Sequence, residues 1–139
     1  MKLIYLGIVV FCCINLVSCD IEKNKTTNDL VESIEMNEGK QLRHIVLFKF
    51  KKEVTKAQIE KVEKAFAELP QKINEIKGFE WGLNNSPENL NKGFTHGFLL
   101  TFDSEEGRDI YLPHPDHKAF GKIVDPVLED VFVLDYWTN

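Results

Sequence analysis

Cysteine is missing from residues 20–139; the three present, Cys12, Cys13 and Cys19, all fall in the first nineteen positions. The body of the chain therefore has no disulfide framework, no thiolate metal site and no cysteine nucleophile. Basic runs are missing too. With 17 Lys and Arg against 22 Asp and Glu, the formal charge is −5. That balance excludes a broad nucleic-acid surface, which needs clustered cations. There is no glycine-rich phosphate loop, no dinucleotide fingerprint, no serine elbow and no redox motif, so no cofactor is expected. No histidine belongs to an HExxH-like pattern, and no complete metal-ligand set is evident. What is present suits one small globular domain: 139 residues, of which 43% are hydrophobic, too many for wholesale disorder.

The first nineteen residues read as an address. Lys2 gives a short positive start, and Leu3–Leu16 is apolar except for Gly7 and Asn15. The run is short for a permanent membrane span and suits a secretory signal. It ends in Leu16-Val17-Ser18-Cys19, which resembles the bacterial lipoprotein lipobox. That resemblance implies acylation of Cys19 as the mature N-terminus, with the protein lipid-anchored in the bacterial cell envelope. Which membrane carries it is left open. Residues 19–41 then turn polar and aperiodic, as expected of a solvated tether. The expected organisation is a signal over 1–18, a tether over 19–41 and a folded domain over 42–139.

Within that domain, LRHIVLFKF at 42–50 reads as a strand. Thr55 and Gln58 form a capping box, followed by Ile59, Val62, Phe66 and Leu69 at helical spacing. Pro70 ends or bends that helix. Strands are expected at 79–83 and 94–102, with the loop 84–93 between them. Ser104 with Glu105 and Glu106 opens a second helix, which breaks at Leu112-Pro113-His114-Pro115. Pro115 suits the first turn of a further short helix to about Val124, and DVFVLDYW at 130–137 is the last strand. The order βαββαβ is that of an α+β, ferredoxin-like sandwich with helices on one face of an antiparallel sheet.

Alternation in the strands puts large apolar groups on both faces of this sheet. His44, Val46, Phe48 and Phe50 share one side of the first strand; Ile45 and Leu47 share the other. Phe94, His96, Phe98, Leu100 and Phe102 share one side of the third. Helices can cover one face, and the other would expose more apolar surface than a soluble monomer tolerates. A second copy of the sheet is the simplest cover, and a homodimer is expected. Phe98 is taken as a residue of the uncovered face, where a charge should cause unfolding or aggregation.

Four stretches, RHIVLFKFK at 43–51, FEWGLNNSPENLNKGFTHGFLLTF at 79–102, YLPHPDHKAF at 111–120 and VFVLDYW at 131–137, resemble the Dabb, or stress-responsive dimeric α/β-barrel, family. The resemblance runs through 42–139 in order. It implies a homodimer whose two four-stranded sheets close into a barrel with helices outside. The family includes a plant polyketide-cyclising enzyme, and the resemblance to it implies His117 as a general base and Tyr111 as its catalytic assistant. It also implies His44 and His96 as further cavity histidines. An aldol closure needs a base near neutrality and a donor for the developing enolate, which these residue types supply. Trp81 and the strand phenylalanines would form an apolar wall. His114 and His117, three apart, could share a metal, but a turn built on His114-Pro115 is the preferred reading.

Two functions follow as expectations. One is a lipid-anchored dimer that binds a small apolar or aromatic molecule, or acts in envelope stress, without catalysis. The other is a cofactor-independent cyclase or lyase using His117 and Tyr111, with monooxygenase-like chemistry a weaker third. Any ligand is expected between the strand histidines and the broken helix, lined by His44, Trp81, His96, Tyr111 and His117.

Overall fold

The computed structural model describes residues 39–139. Cys19, the signal segment and nearly all of the expected tether lie outside the described residues. The elements are β1 (Leu42–Phe50), α1 (Lys56–Ala67), β2 (Gly78–Leu83), β3 (His96–Phe102), α2 (Glu105–Tyr111), α3 (Pro115–Val124) and β4 (Leu128–Trp137). Local signals set most boundaries. The Thr55 hydroxyl accepts from the Gln58 N–H and the Gln58 carboxamide accepts from the Thr55 N–H, so the capping box opens α1. Pro70 falls in a short 3-10 turn, Leu69–Gln71, just after α1 ends. Ser104 caps α2 by accepting from the Gly107 N–H at 3.1 Å. β3 begins at His96 rather than Phe94, because the Phe94 N–H is committed to a turn, donating to the Asn91 carbonyl at 2.8 Å. β4 starts two residues before Asp130, since Leu128 pairs with Phe50 across a register shift at Lys49/Phe50. No helix among the described residues is long and apolar enough to cross a membrane.

The four strands form one antiparallel sheet in the order β2-β3-β1-β4, the ferredoxin-like arrangement. His44 lies opposite Leu100 on β3 and Asp135 on β4; Val46 lies opposite Phe98 and Val133. These residues share the face under the helices. Leu42, Val46, Phe48, Phe98, Leu100 and Phe102 are buried there against Val62 and Phe66 of α1 and Phe120 of α3. Phe98 is therefore a core residue, 1% exposed, and not part of the uncovered face. The correction has a physical reason. Period-2 alternation sorts residues into two faces but carries no sign of which face the helices will cover.

The face without helices carries Ile45 and Leu47 of β1, Leu99 of β3, and Phe132, Leu134 and Tyr136 of β4. Register aligns Leu99, Ile45 and Leu134 in one row and pairs Leu47 with Phe132 in the next. Phe132 and Leu134 are each 46% exposed. Polar rows flank this centre. The Arg43 guanidinium bonds the Thr101 hydroxyl on one side, and Lys49 lies opposite Asp130 on the other.

Candidate functional site

The helical cover is incomplete over β4. α1 packs against α3, and α2 lies over β3. The helix break between α2 and α3 leaves Val131 and Val133 of β4 about half exposed, although both point to the helix side. The result is a cavity of about 640 Å³ between the sheet and the broken helix. Its walls are largely apolar: Val46 and Phe48 from β1, Phe66 from α1, Phe120 and Val124 from α3, and Val133 from β4. Gly121 lies in the α3 wall. A Cβ there would meet nothing closer than the Asp125 carboxylate at 3.7 Å, so the missing side chain leaves chamber space unfilled.

Three expected site residues, His44, Tyr111 and His117, meet in this cavity. The His44 ring lies 5.9 Å from Tyr111, edge to face, and Tyr111 lies 4.2 Å from His117, centroid to centroid. His44 is buried, and its Nδ1 is 2.6 Å from the Asp135 carboxylate. A carboxylate only accepts, so Nδ1 carries the proton and a neutral ring keeps its Nε2 lone pair. Arg108 donates to the second Asp135 oxygen at 3.1 Å, fixing the carboxylate from its other side. His117 Nδ1 is 2.9 Å from the Leu112 carbonyl, again an acceptor only, so Nδ1 carries a proton and a neutral ring would present Nε2 as a lone pair. The carbonyl it uses is one freed by the break before Pro113 and Pro115.

Tyr111 completes the set. Its ring is buried, and burial pushes its phenol well above the ordinary range, so it stays a protonated donor. No described group hydrogen-bonds its hydroxyl, nor Nε2 of His44 or His117. Yet no fully enclosed side-chain nitrogen or oxygen lacks a partner. These three atoms are therefore not fully enclosed, and all three residues line the cavity. A phenol donor and two imidazole rings line a largely apolar chamber.

The other expected residues lie elsewhere. His96 pairs with Phe48, two rungs along the sheet from His44's position, and does not line this cavity. Both its nitrogens are used: Nε2–H donates to Glu63 of α1 at 3.0 Å, and Nδ1 accepts from the Thr95 hydroxyl at 2.8 Å. Trp81 lies flat against His96 at the β2 side of the sheet, with ring centroids 6.3 Å apart and planes within 5°. The expected five-residue site thus divides into a cavity group and a separate stacked pair. The cause is strand order: β4 and β2 are the two edges of the sheet, with β3 and β1 between them. His114 caps α3, its Nδ1 accepting from the Asp116 N–H at 3.2 Å. Among the described residues no three His, Cys, Asp or Glu side chains group as metal ligands.

Asp135 and Arg108 were not anticipated. A usable signal existed for Asp135, the one carboxylate within the apolar run VFVLDYW, because a charge in such a place needs a partner. Arg108 gave none, as it reads as an ordinary surface residue of a short helix.

The profile of the Dabb family, the stress responsive A/B barrel domain, matches residues 42–138. A stress-response A/B barrel domain-containing protein of Arabidopsis thaliana is 40% identical over 102 residues, 73% of this chain and 94% of that protein. Olivetolic acid cyclase of Cannabis sativa is 34% identical over 95 residues, 68% of this chain and 94% of the cyclase. Among solved structures, hydroxynitrile lyase from Passiflora edulis matches with a TM-score of 0.68 at 30% identity, over 71% of this chain and 94% of the lyase. A dimeric protein of unknown function and ferredoxin-like fold from Bacteroides fragilis matches with a TM-score of 0.57 at 33% identity, over 69% and 94% of the two chains. With the family profile spanning nearly all of the described domain, the chain belongs to the Dabb, or stress-responsive A/B barrel, family.

Proposed function

We propose that the chain is a homodimeric small-molecule-binding protein whose ligand has an apolar body and a neutral polar group, held in the cavity between the sheet and the broken helix. The observation that carries this reading is that His44, Tyr111 and His117 together line one largely apolar chamber of about 640 Å³. Few precisely placed polar groups in an apolar concavity are the usual composition of a ligand site. A carbonyl would accept a hydrogen bond from Tyr111, and a hydroxyl would donate one to a neutral histidine ring. Small molecules that co-purify with the full chain, identified by mass spectrometry, supply the probe. His117→Ala is then expected to weaken its binding about tenfold, one lost hydrogen bond. His114→Ala is expected to remove about 1 kcal/mol of stability through the lost helix cap and leave binding alone. Equal losses of melting temperature in both variants, with affinity unchanged, would make these residues structural and the reading wrong.

A second reading is a cofactor-independent cyclase or lyase at the same cavity. Its support is the protonated Tyr111 beside the His117 ring, together with the names of two relatives, a cyclase and a lyase. His117 would take a proton and Tyr111 would hold the oxygen on which charge develops. Turnover of the co-purified compound selects this reading over simple binding.

The homodimer is supported by the apolar centre and polar rim of the face without helices and by the dimeric neighbour. Lipid anchoring in the bacterial cell envelope, with a stress role there, is supported by the Leu16–Cys19 box and the family's description. Cys19→Ser is expected to move the protein from the membrane fraction to the soluble fraction. Unchanged fractionation, with no acyl mass on the wild type, rejects the anchor.

A further inference from the structure

We propose that the ligand of this cavity is an organic anion, a small carboxylic acid whose apolar body fills the chamber and whose carboxylate sits at the rim by Lys118 and Lys122. This rests on the small-molecule reading above. α3 contributes two adjacent rows to the cavity. His117, Phe120, Gly121 and Val124 form the inner wall, and Lys118, Lys122 and Asp125 run beside them. At spacings of four and three, the members of the second row stand one above another along the helix. Both lysines are exposed. Among the described residues neither ammonium belongs to an ion pair, so both are available to a ligand.

Two free cations at the edge of an apolar chamber match an amphipathic anion. The lysine stems prolong the apolar wall while the ammonium groups stay hydrated. The chamber itself offers a carboxylate no arginine or lysine at its inner end, where His44, Tyr111 and His117 suit a neutral group. The positive end of the site is therefore the rim. Asp125, three residues beyond Lys122, limits the attraction there, so Lys118 carries the larger share. The rim is net positive in a chain whose formal charge is −5, so it stands out from the overall charge.

The test is calorimetric titration of the full chain with 6-phenylhexanoate and with 6-phenylhexanamide, which differ in charge and hardly in shape. At low ionic strength the carboxylate is expected to bind about tenfold tighter, as two exposed cations allow. The difference should shrink in about 1 M salt, where exposed charges are screened. In K118Q/K122Q the carboxylate should lose its advantage and bind no more tightly than the amide binds to the same variant. Gly121→Leu, which fills the chamber, should abolish both. Equal affinities for the two probes in the wild type overturn the anion inference and leave the apolar-cavity reading standing. A carboxylate preference that survives K118Q/K122Q also overturns it. Binding of neither probe, or binding that ignores Gly121→Leu, overturns the cavity reading and this inference with it.

Discussion

In place of the unfolding or aggregation expected of a charge at Phe98, Leu134→Glu is expected to convert the protein from a homodimer into a folded monomer, because Leu134 is not a core residue. Leu134 lies in the middle row of the face without helices, beside Ile45 of β1, with Leu99 of β3 beyond. Leu47 and Phe132 extend that centre by one row. Against a second copy, this centre would be dry and the rows of Arg43 and Lys49 would form a hydrated rim. A carboxylate placed there must be buried without a partner in each copy. The cost should be about 3 kcal/mol or more, over a hundredfold in the dimer dissociation constant. Because Leu134 is 46% exposed in the single chain, the substitution should not unfold the protomer. Light scattering at micromolar concentration, with circular dichroism as the folding control, reads both. A wild-type monomer, or an undiminished dimer in Leu134→Glu, contradicts the assembly. Phe98→Glu would not serve, since Phe98 is buried under the helices and its loss would unfold either state.

Phe66→Ala should nearly unfold the domain. Phe66 projects from α1 into the middle of an aromatic cluster. Its ring centroid is 4.5 Å from both Phe98 and Phe120, 5.3 Å from Phe79 and 5.9 Å from Phe48. It thus joins α1 to β1, β2, β3 and α3, and it also lines the inner wall of the cavity. Truncating such a residue removes its transfer energy and leaves a void that four rigid rings cannot close. The expected loss is about 3–5 kcal/mol, against a total of about 5–15 kcal/mol for a typical domain. At about 4–8 °C per kcal/mol, the melting temperature should drop by more than 10 °C. Gly121→Ala is the matched contrast, an added methyl group at a wall position with open space. Chemical denaturation of the two variants should differ by several kcal/mol, and a loss below about 1 kcal/mol in Phe66→Ala would show that the cluster is not the core's centre.

The site divides the same way between what a line of residues can say and what it cannot. His44 and His96 look alike in sequence, each a lone polar ring on an apolar strand face. Their fates differ because β1 and β3 run antiparallel, and register sets His44 against Asp135 and His96 against Phe48. The partner of His44 is 91 residues away, and no local pattern carries that pairing. Tyr111 and His117 came from the family resemblance, and they meet because the break between them is local: two prolines and six residues bring their rings to 4.2 Å. Trp81 was expected in the apolar wall of the cavity, whereas its ring stacks beside His96 at the β2 side of the sheet.

From the sequence alone came the order of elements, the capping box at Thr55, the α2–α3 break at Leu112–Pro115, the apolar character of both sheet faces and the family. Each of these rests on interactions within a few residues or on periodicity, which the chain displays directly. Only the tertiary structure decided which face the helices cover, that Phe98 lies in the core, that His96 and Trp81 stand apart, and that Asp135 and Arg108 hold His44. Those outcomes depend on strand order and register, and they are settled by where distant segments bury the most apolar surface at once.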